Sequence, residues 1–534
     1  MYVRRHAKDV MKKGFILLFL AGVFSLQAGD LDTIGVTVLR QVDPTLTGSG
    51  VKVAQPEATS APTNSDYEVN PGNAYVNQPT NLFTYISTNG TTATNFPNSA
   101  GVESGHADQV AKNFYGIPIG VATNVGHVDN YDADYFFGYY IYNGFPLVHT
   151  VRVVNQSFAF DLSDESAVDP PYDNYAANGN TIFASAVGNG GAVLPPGTGY
   201  NCIAVGVYGS SSGTGPTADG RCKPDITAPD QADAPSSANS YSIPYVAGAA
   251  AVLVQAANRG DGGSNTNAAS DLRTVKALLL NGAIKPTDWT NGTASPLDAR
   301  YGAGLVNVFN SWEQLKGGQH AFIESTTVST GSAHPPGANT NNEPVLAGWD
   351  YNTNSTTTAT DTVKHYYFNP PGGNSYSLTA TLVWNKQYNA TNINNLNLFL
   401  YNAANSNLVT CSTSMVDNVE HIYLPVLPSG RYDLQVLKSG SVTQVSAAET
   451  YALAFEIFTM PLSVRLTNNT AVVSWPVAPT GYQLQSAASL NPPVSWTYVT
   501  SLTNAASIAN TNNVVTLPIV SGNNQFFRLI SPTF

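Results

Sequence analysis

A chain of 534 residues is longer than a single hydrophobic core sustains, so two to four domains are expected. Only 11% of residues are charged, the net charge is -12, and no basic cluster occurs beyond the extreme N-terminus, which excludes nucleic acid as a partner. Three cysteines are too few for a disulfide scaffold.

The chain opens MYVRRHAKDVMKKGFILLFLAGVFSLQAGD, with five Lys and Arg residues ahead of an apolar run from Phe15 to Leu26 and small residues near Ala28. This is the pattern of a secretory signal peptide over 1–28, so the mature protein is expected outside the cytoplasm: extracellular, periplasmic or at the cell surface. A short membrane anchor is the alternative, although the run is shorter than a comfortable span. No later segment reads as crossing a membrane. Residues 29–49 read as a polar lead-in.

From Gly48, GSGVKVAQPEA has the form of a first strand ending at Glu57. Residues 59–100 are rich in Asn and Thr without helical periodicity and read as surface loops around a short strand from Leu82 to Ile86. VESGHADQVAKNFYG then places His106 at the start of a helical pattern through Val110, Ala111 and Phe114. The spacing of His127, Asp129, Asp132 and Asp134 matches no standard metal site, so no metal is expected there and they read as loop and strand-end residues. VRVVNQSFAF is an apolar strand running into Asn155, Ser157 and Phe158, and TIFASAVGNGG is the next, with Ala186, Gly188 and Asn189 at its end. From Val246 to Val254 every residue is apolar or glycine, which predicts a helix buried on all sides. Ser240 sits just before it, and Pro244 is tolerable only in the first turn. A hydroxyl there stands beside the unpaired N–H groups of a helix start, a place for a nucleophile next to a developing oxyanion. A further amphipathic helix is expected over Asp271 to Ala283. Strand–helix alternation of this kind signals an α/β domain.

These stretches resemble, in order, the motifs of the subtilisin-like serine peptidases, the subtilases. Ala238-Asn239-Ser240-Tyr241-Ser242-Ile243-Pro244-Tyr245-Val246-Ala247-Gly248 is similar to the nucleophile motif G-T-S-M-A-x-P-H-V-A-G, keeping its serine, proline and Val-Ala-Gly. His106 falls on the histidine of H-G-T-x-V-A-G, with Ala107-Asp108 in place of Gly-Thr. Glu57 falls where the family has its triad aspartate. VNQS resembles V-I-N-x-S, whose strand pairs with substrate, and AVGNGG resembles A-A-x-G-N-x-G, whose asparagine holds the oxyanion. The most specific run is GPTADGRCKPDITAPD against G-P-T-x-D-G-R-x-K-P-D-I-x-A-P-G, and YGAGLVN resembles the family's closing motif. The resemblance spans about 48–315 and implies a subtilisin-like peptidase domain over 29–317. It implies an exported serine endopeptidase acting on polypeptide, with Ser240 as nucleophile, His106 as base, Glu57 as orienting carboxylate and Asn189 as oxyanion donor. Asn155, Ser157, Phe158, Ala186 and Gly188 would line the substrate cleft. Residues 29–49 leave no room for the folded inhibitory propeptide of many relatives. The departures from the motifs keep open a catalytically impaired protein of the same fold that binds peptides or adheres to surfaces.

Beyond Gly317 the pattern turns to short alternating strands with Asn, Gly and Pro turns, which predicts two all-β sandwich domains. Residues 318–460 are similar to the jelly-roll domain that follows many subtilase domains, and 461–534 look like a small fibronectin- or immunoglobulin-type sandwich with Trp475 and Trp496 in its core. Asn385, Asn395 and Asn397 stand where related domains carry aspartates. A structural calcium stays open as the only cofactor, with weakened ligands. Cys202 and Cys222 lie within one supersecondary unit and are the expected disulfide pair, with Cys411 a free thiol; Cys202 serves equally as a small buried hydrophobe. Oligomeric state is not legible.

Overall fold

The structure, a computed structural model, describes residues 29–230, 238–286, 288–325, 346–357, 360–372, 375–439, 445–459, 462–467, 470–476, 483–489, 494–499, 512–518 and 525–530. The expected signal peptide, 1–28, lies outside them. The α/β domain is built on eight strands: β1 (Lys52–Glu57), β2 (Phe83–Ile86), β3 (Thr92–Ala93), β4 (His127–Asp132), β5 (Val153–Gln156), β6 (Ile182–Ala186), β7 (Ile203–Tyr208) and β8 (Ile226–Pro229). Their spatial order is β8-β7-β6-β5-β1-β4-β2-β3, all parallel except the β3 edge. β1 is buried from Val53 to Glu57, as expected of a central parallel strand covered on both faces.

The helix Ile243–Asn258 buries every residue except Gln255 and Asn258. Among the described residues, Asn239–Asn258 is the one stretch long and apolar enough to cross a membrane, and 89% of its most apolar 18-residue window lies inside the protein. It is therefore a core helix. Gly248 sits where a Cβ would come within 2.5 Å of the Val121 side chain, so only glycine permits the close approach of this helix to the 114–121 connection.

Two segments read as peripheral are not. Residues 29–49 form the helices Asp30–Thr33 and Val36–Val42 and bury Ile34, Val36, Leu39 and Leu46. Ile34 O accepts the Val308 N–H at 2.8 Å, tying the lead-in to the last helix, Val308–Lys316. The 59–100 insertion contributes Tyr67, Val69, Val76, Phe83 and Tyr85 to the core, each fully buried. Its short strand Asp66–Glu68 pairs in parallel with Val102–Glu103.

Among the described residues after 318, the paired strands are antiparallel. Two five-stranded sheets, one ordered Ile323–Ser325, Val363–Phe368, Tyr432–Lys438, Leu396–Asn402, Leu408–Ser412, the other Thr360–Asp361, Ala347–Thr357, Ala448–Thr459, Ser375–Trp384, Val419–Pro428, enclose one core. This sandwich is fused to the α/β domain. Trp349, Val383, Val419, Ala452 and Ala454 belong to the α/β core. Asn281 Oδ1, at the end of helix Leu272–Asn281, accepts from Thr379 at 3.0 Å and Thr381 at 2.9 Å. The last module has two three-stranded sheets around Val473, Trp475, Leu484 and Val515. Trp496 is half-buried instead of central, and the Arg528 guanidinium covers its ring at 4.3 Å.

The expected Cys202–Cys222 disulfide is absent: all three cysteines are free. Cys202 Sγ faces the Gly199 carbonyl at 3.2 Å, with Lys223 Nζ at 3.8 Å. Cys222 is buried as well, and its backbone N–H donates to Asp417 of the sandwich at 2.7 Å.

Candidate active site

The site lies at the carboxyl ends of the parallel strands, where side chains can project from strand termini into a common crevice. Glu57 is the last residue of β1 and only 1% exposed. Ser104 caps the helix Gly105–Phe114, its Oγ accepting from the Ala107 N–H at 3.3 Å, and the first turn thereby carries His106 to the end of β1. His106 Nδ1 lies 2.8 Å from Glu57 Oε2, with the ring 36% exposed. A carboxylate only accepts, so Nδ1 carries the proton and Nε2 keeps a free lone pair on the solvent side. Burial lowers the His106 pKa, but the charge of Glu57 and its hydrogen bond outweigh that, and the net shift is upward.

Glu57 is itself held. Gln55, two residues earlier on the same strand face, donates Nε2 to Glu57 Oε1 at 2.9 Å and to the Ala107 carbonyl at 2.9 Å, while its Oε1 accepts from Tyr115 OH at 2.6 Å. The chain Tyr115–Gln55–Glu57–His106 fixes the carboxylate that faces the imidazole. Asp108, standing where the resembling motif has threonine, is buried and accepts from Asn70 N–H and Asn73 Nδ2, both at 2.7 Å. It pins the 59–100 insertion to the histidine's helix, and burial pushes its carboxyl up to about 7.

Ser240 sits on a single 3-10 turn, Asn239–Tyr241, immediately before the buried helix, and is half-buried. The Tyr241 ring lies 5.7 Å from the His106 ring, and Asn113 Nδ2 donates to the Tyr241 carbonyl at 2.9 Å, so the serine turn and the histidine helix are joined. Ser240 Oγ donates to the Ser157 carbonyl at 3.2 Å, and Ser157 Oγ donates to the Ser240 carbonyl at 2.8 Å. Asn239, 1% exposed, anchors the turn: its Oδ1 accepts from the Val187 and Gly188 N–H groups at 2.8 and 3.2 Å, and its Nδ2 donates to Val205 O at 2.7 Å. Asn189 Oδ1 accepts the Asn239 N–H at 2.7 Å. That bond ties Asn189 to the residue before the serine and leaves Nδ2 of its exposed amide as the side chain's donor.

Glu57, His106, Ser240 and Asn189 thus gather at one end of the sheet. The residues expected along the substrate cleft divide. Asn155 is fully buried and donates Nδ2 to Ser157 Oγ at 2.9 Å, so Asn155 and Ser157 clamp the serine turn. Ala186 and Gly188 are buried at the end of β6 and behind it, Gly188 spending its N–H on Asn239. Phe158 is the member with solvent-facing surface. Gln55, Tyr115 and Asn239 are the positioning residues that sequence reasoning did not single out. A buried polar residue at the fourth position of the strand KVAQPE was the available signal for Gln55.

The longest motif-like run, Gly215–Asp230, builds a charge cluster instead of a reactive site. Lys223 Nζ lies 2.9 Å and Lys276 Nζ 3.2 Å from Asp225, all three within 3% of full side-chain burial. Asp225 Oδ2 also accepts the Ala204 N–H at 2.7 Å, joining β7, β8 and the helix Leu272–Asn281. Burial raises the Asp225 pKa, yet the two lysines hold it below the usual carboxylate range.

Of the amides where relatives carry aspartates, Asn385 and Asn397 keep side-chain oxygens buried without a hydrogen-bond partner among the described residues. Neutral oxygens lack the charge that a dedicated calcium cage supplies, so calcium is not assigned to them. Among the described residues, the convergent His, Cys, Asp or Glu cluster is His127, Asp129 and His149. The sequence had set His127 and Asp129 aside together with Asp132 and Asp134. Asp132 instead caps a turn through the Tyr135 N–H at 3.0 Å, Asp134 is exposed, and the partner that completes the cluster is distant in sequence.

Residues 90–304 match the family model described as Subtilase family. The match includes His106, Asn189 and Ser240 and begins after Glu57. No curated protein sequence matches the chain. Among solved structures, the chain is similar to fervidolysin from Fervidobacterium pennivorans, a keratinolytic enzyme related to subtilisin, at 14% identity over 84% of this chain and 73% of that one, with a TM-score of 0.36. It is also similar to tripeptidyl peptidase 2, at 12% identity over 76% of this chain, with a TM-score of 0.31. The alignment spans 44% of the tripeptidyl peptidase 2 chain, less than half its length.

Proposed function

From the premise that this chain carries a subtilase-family peptidase domain, we propose that it is an exported serine endopeptidase with a Glu57–His106–Ser240 triad. The observation that carries the proposal is the 2.8 Å contact between His106 Nδ1 and Glu57 Oε2, because Glu57 lies outside the family match and its part in the triad is supported by that contact beside its position in the sequence. Held through Nδ1, His106 offers Nε2 to take the Ser240 proton as Oγ attacks a peptide carbonyl, and returns it to the leaving amine. Glu57 keeps the ring oriented and balances the imidazolium as it forms. Asn189 Nδ2 and the Ser240 N–H hold the oxyanion. Export is supported by the basic-then-apolar start of the sequence.

A second reading, a peptide-binding protein of the same fold without catalysis, is favoured by one observation. The Ser240 hydroxyl is spent on the Ser157 carbonyl, so its delivery to His106 requires rotation about χ1, a hop between staggered wells. Such bonds tighten in the Michaelis complex, which keeps the enzyme reading ahead. A fluorophosphonate probe on the purified mature chain tests it. Labelling and casein hydrolysis should occur and vanish in Ser240→Ala with far-UV circular dichroism unchanged. Absence of labelling in the native protein, with peptide binding retained, supports the second reading; labelling that persists in the variant means another serine reacts.

A further inference from the structure

At the opposite end of the sheet from Glu57, the pleat and a returning loop assemble a second chemical cluster. His127 and Asp129 alternate onto one face of β4, and the register pairs Asp129 with Thr84 on β2. Lys52, the first residue of β1, pairs with His127, whereas Glu57 pairs with Asp132. Five residues of strand separate the two sites, roughly 16 Å. The connection into β5 brings His149 alongside, its ring centroid 4.1 Å from that of His127.

The two imidazoles converge on one buried oxygen. Asp129 Oδ1 lies 2.6 Å from His149 Nδ1 and 3.5 Å from His127 Nε2. The three ligand atoms lie within 4.8 Å of one another. Asp129 is 0% exposed, and its second oxygen is already held by Tyr131 OH at 3.1 Å and the His149 N–H at 3.0 Å, as an outer-shell partner set holds a ligating carboxylate. Tetrahedral coordination with bonds of about 2.0–2.1 Å separates ligand atoms by roughly 3.4 Å. The His127–Asp129 separation of 3.5 Å already matches that spacing, and His149 has to withdraw by less than an ångström. His149 is 33% exposed and borders an open cleft with Tyr142 and Leu147, which supplies an entry path. Two imidazoles and one carboxylate form a borderline N/N/O set that suits zinc better than calcium or magnesium.

We propose that His127, Asp129 and His149 bind one zinc-class divalent ion, with water in the fourth position near Thr84, whose Oγ1 lies 3.0 Å from His127 Nε2. The ion would tie the 143–151 connection to the start of β4. The proposal is independent of the reading of Ser240.

The test is zinc titration of the chelator-stripped full chain by calorimetry, with cobalt as the spectroscopic substitute. One ion per chain is expected, together with four-coordinate cobalt absorption bands and a rise in Tm of at least about 3 °C on zinc addition. His149→Ala and His127→Gln should each weaken binding at least about tenfold and abolish the bands, while His106→Ala leaves both intact. His149→Ala removes a partly exposed side chain and is the variant expected to fold normally. Failure of the natively folded wild type to bind, or equal affinity in His149→Ala, overturns the proposal and leaves a hydrogen-bonded His–Asp–His cluster. Loss of binding in His106→Ala alone assigns the ion to the other end of the sheet and likewise overturns it.

Discussion

Two buried carboxylates of the α/β domain, each facing a nitrogen-bearing side chain, differ in what they leave open. Asp225 is enclosed with Lys223 and Lys276, every member buried and both lysines sharing the one carboxylate. Glu57 is equally buried, but its partner His106 keeps 36% of its side chain exposed and one ring nitrogen uncommitted to the carboxylate. The Asp225 cluster sits in the longest motif-like stretch of the chain, whereas the Glu57 strand departs from the motif it resembles. Motif length therefore tracks constraint, which packing imposes as strongly as chemistry does. The pair proposed for catalysis is one whose partner is left partly in solvent.

The largest expected effect breaks the open pair. Glu57→Gln keeps the shape and loses the charge, so kcat on a chromogenic peptide should fall about 10²–10⁴-fold, up to roughly 5 kcal/mol, with KM changed far less. Glu57→Asp retracts the carboxylate by about 1.5 Å, roughly one carbon–carbon bond. With the contact already at 2.8 Å, shortening should lower activity as well. Full activity in Glu57→Gln removes Glu57 from the mechanism.

Breaking the closed cluster should act on folding instead. Asp225→Asn leaves two buried lysines without a counter-charge, a change that costs about 3–5 kcal/mol. Urea denaturation should show that loss, while the fraction still folded keeps its rate per labelled serine. A variant as stable as wild type would mean that the cluster contributes no net stability.

The third effect is on pH dependence. His106 must be neutral to accept a proton, and its pKa is raised on balance by Glu57 against the opposing effect of burial. The acid limb of kcat/KM should therefore lie above the ordinary histidine range and move to lower pH in Glu57→Gln. The linked stability has the opposite sense: the pair's contribution is fully present below the unfolded histidine pKa and is lost as pH rises through the folded one. An acid limb unmoved by Glu57→Gln would assign it to another group, and Asp108 is the nearest candidate on the same helix.

These contrasts mark how far sequence reasoning reaches. The helix Ile243–Asn258 was legible because burial on all sides leaves no polar face, and His106 and Ser240 because each stands at a helix start, His106 in the first turn and Ser240 just before it. The 29–49 and 59–100 segments were misread as polar periphery because their buried residues, Ile34 and Leu39 or Tyr67 and Tyr85, lie on or beside elements of only three to seven residues, too short for periodicity to reveal a buried face. Asn239 was passed over because its partners, Val187, Gly188 and Val205, lie 34 to 52 residues away, and no local pattern records a hydrogen bond of that span. The docking of the sandwich was hidden for the same reason: Trp349 Nε1 donates to Leu315 O in the preceding domain at 3.2 Å. The disulfide expectation failed because proximity in sequence says nothing of which way two thiols point.

The smallest expected effect sharpens the comparison most, because it lies three hydrogen bonds behind the imidazole. Tyr115 is fully buried and touches neither His106 nor Ser240 among its hydrogen bonds; its OH donates to Gln55 Oε1 at 2.6 Å, and Gln55 in turn donates to Glu57. Tyr115→Phe keeps the ring and removes that donor, leaving the Gln55 carbonyl unsatisfied at a cost of about 1–3 kcal/mol. If the cost were structural alone, Tm would drop and kcat would not. If the chain of bonds positions the carboxylate, the freed Gln55 amide can turn over and present its oxygen to Glu57, and kcat should fall several-fold at unchanged KM. The pH profile separates the two outcomes. Loss of the Gln55 hydrogen bond weakens the hold on Glu57, so the acid limb should move in the direction seen for Glu57→Gln but by less. A Tm loss with an unmoved acid limb would make Tyr115 a packing residue, and the positioning chain would then begin at Gln55.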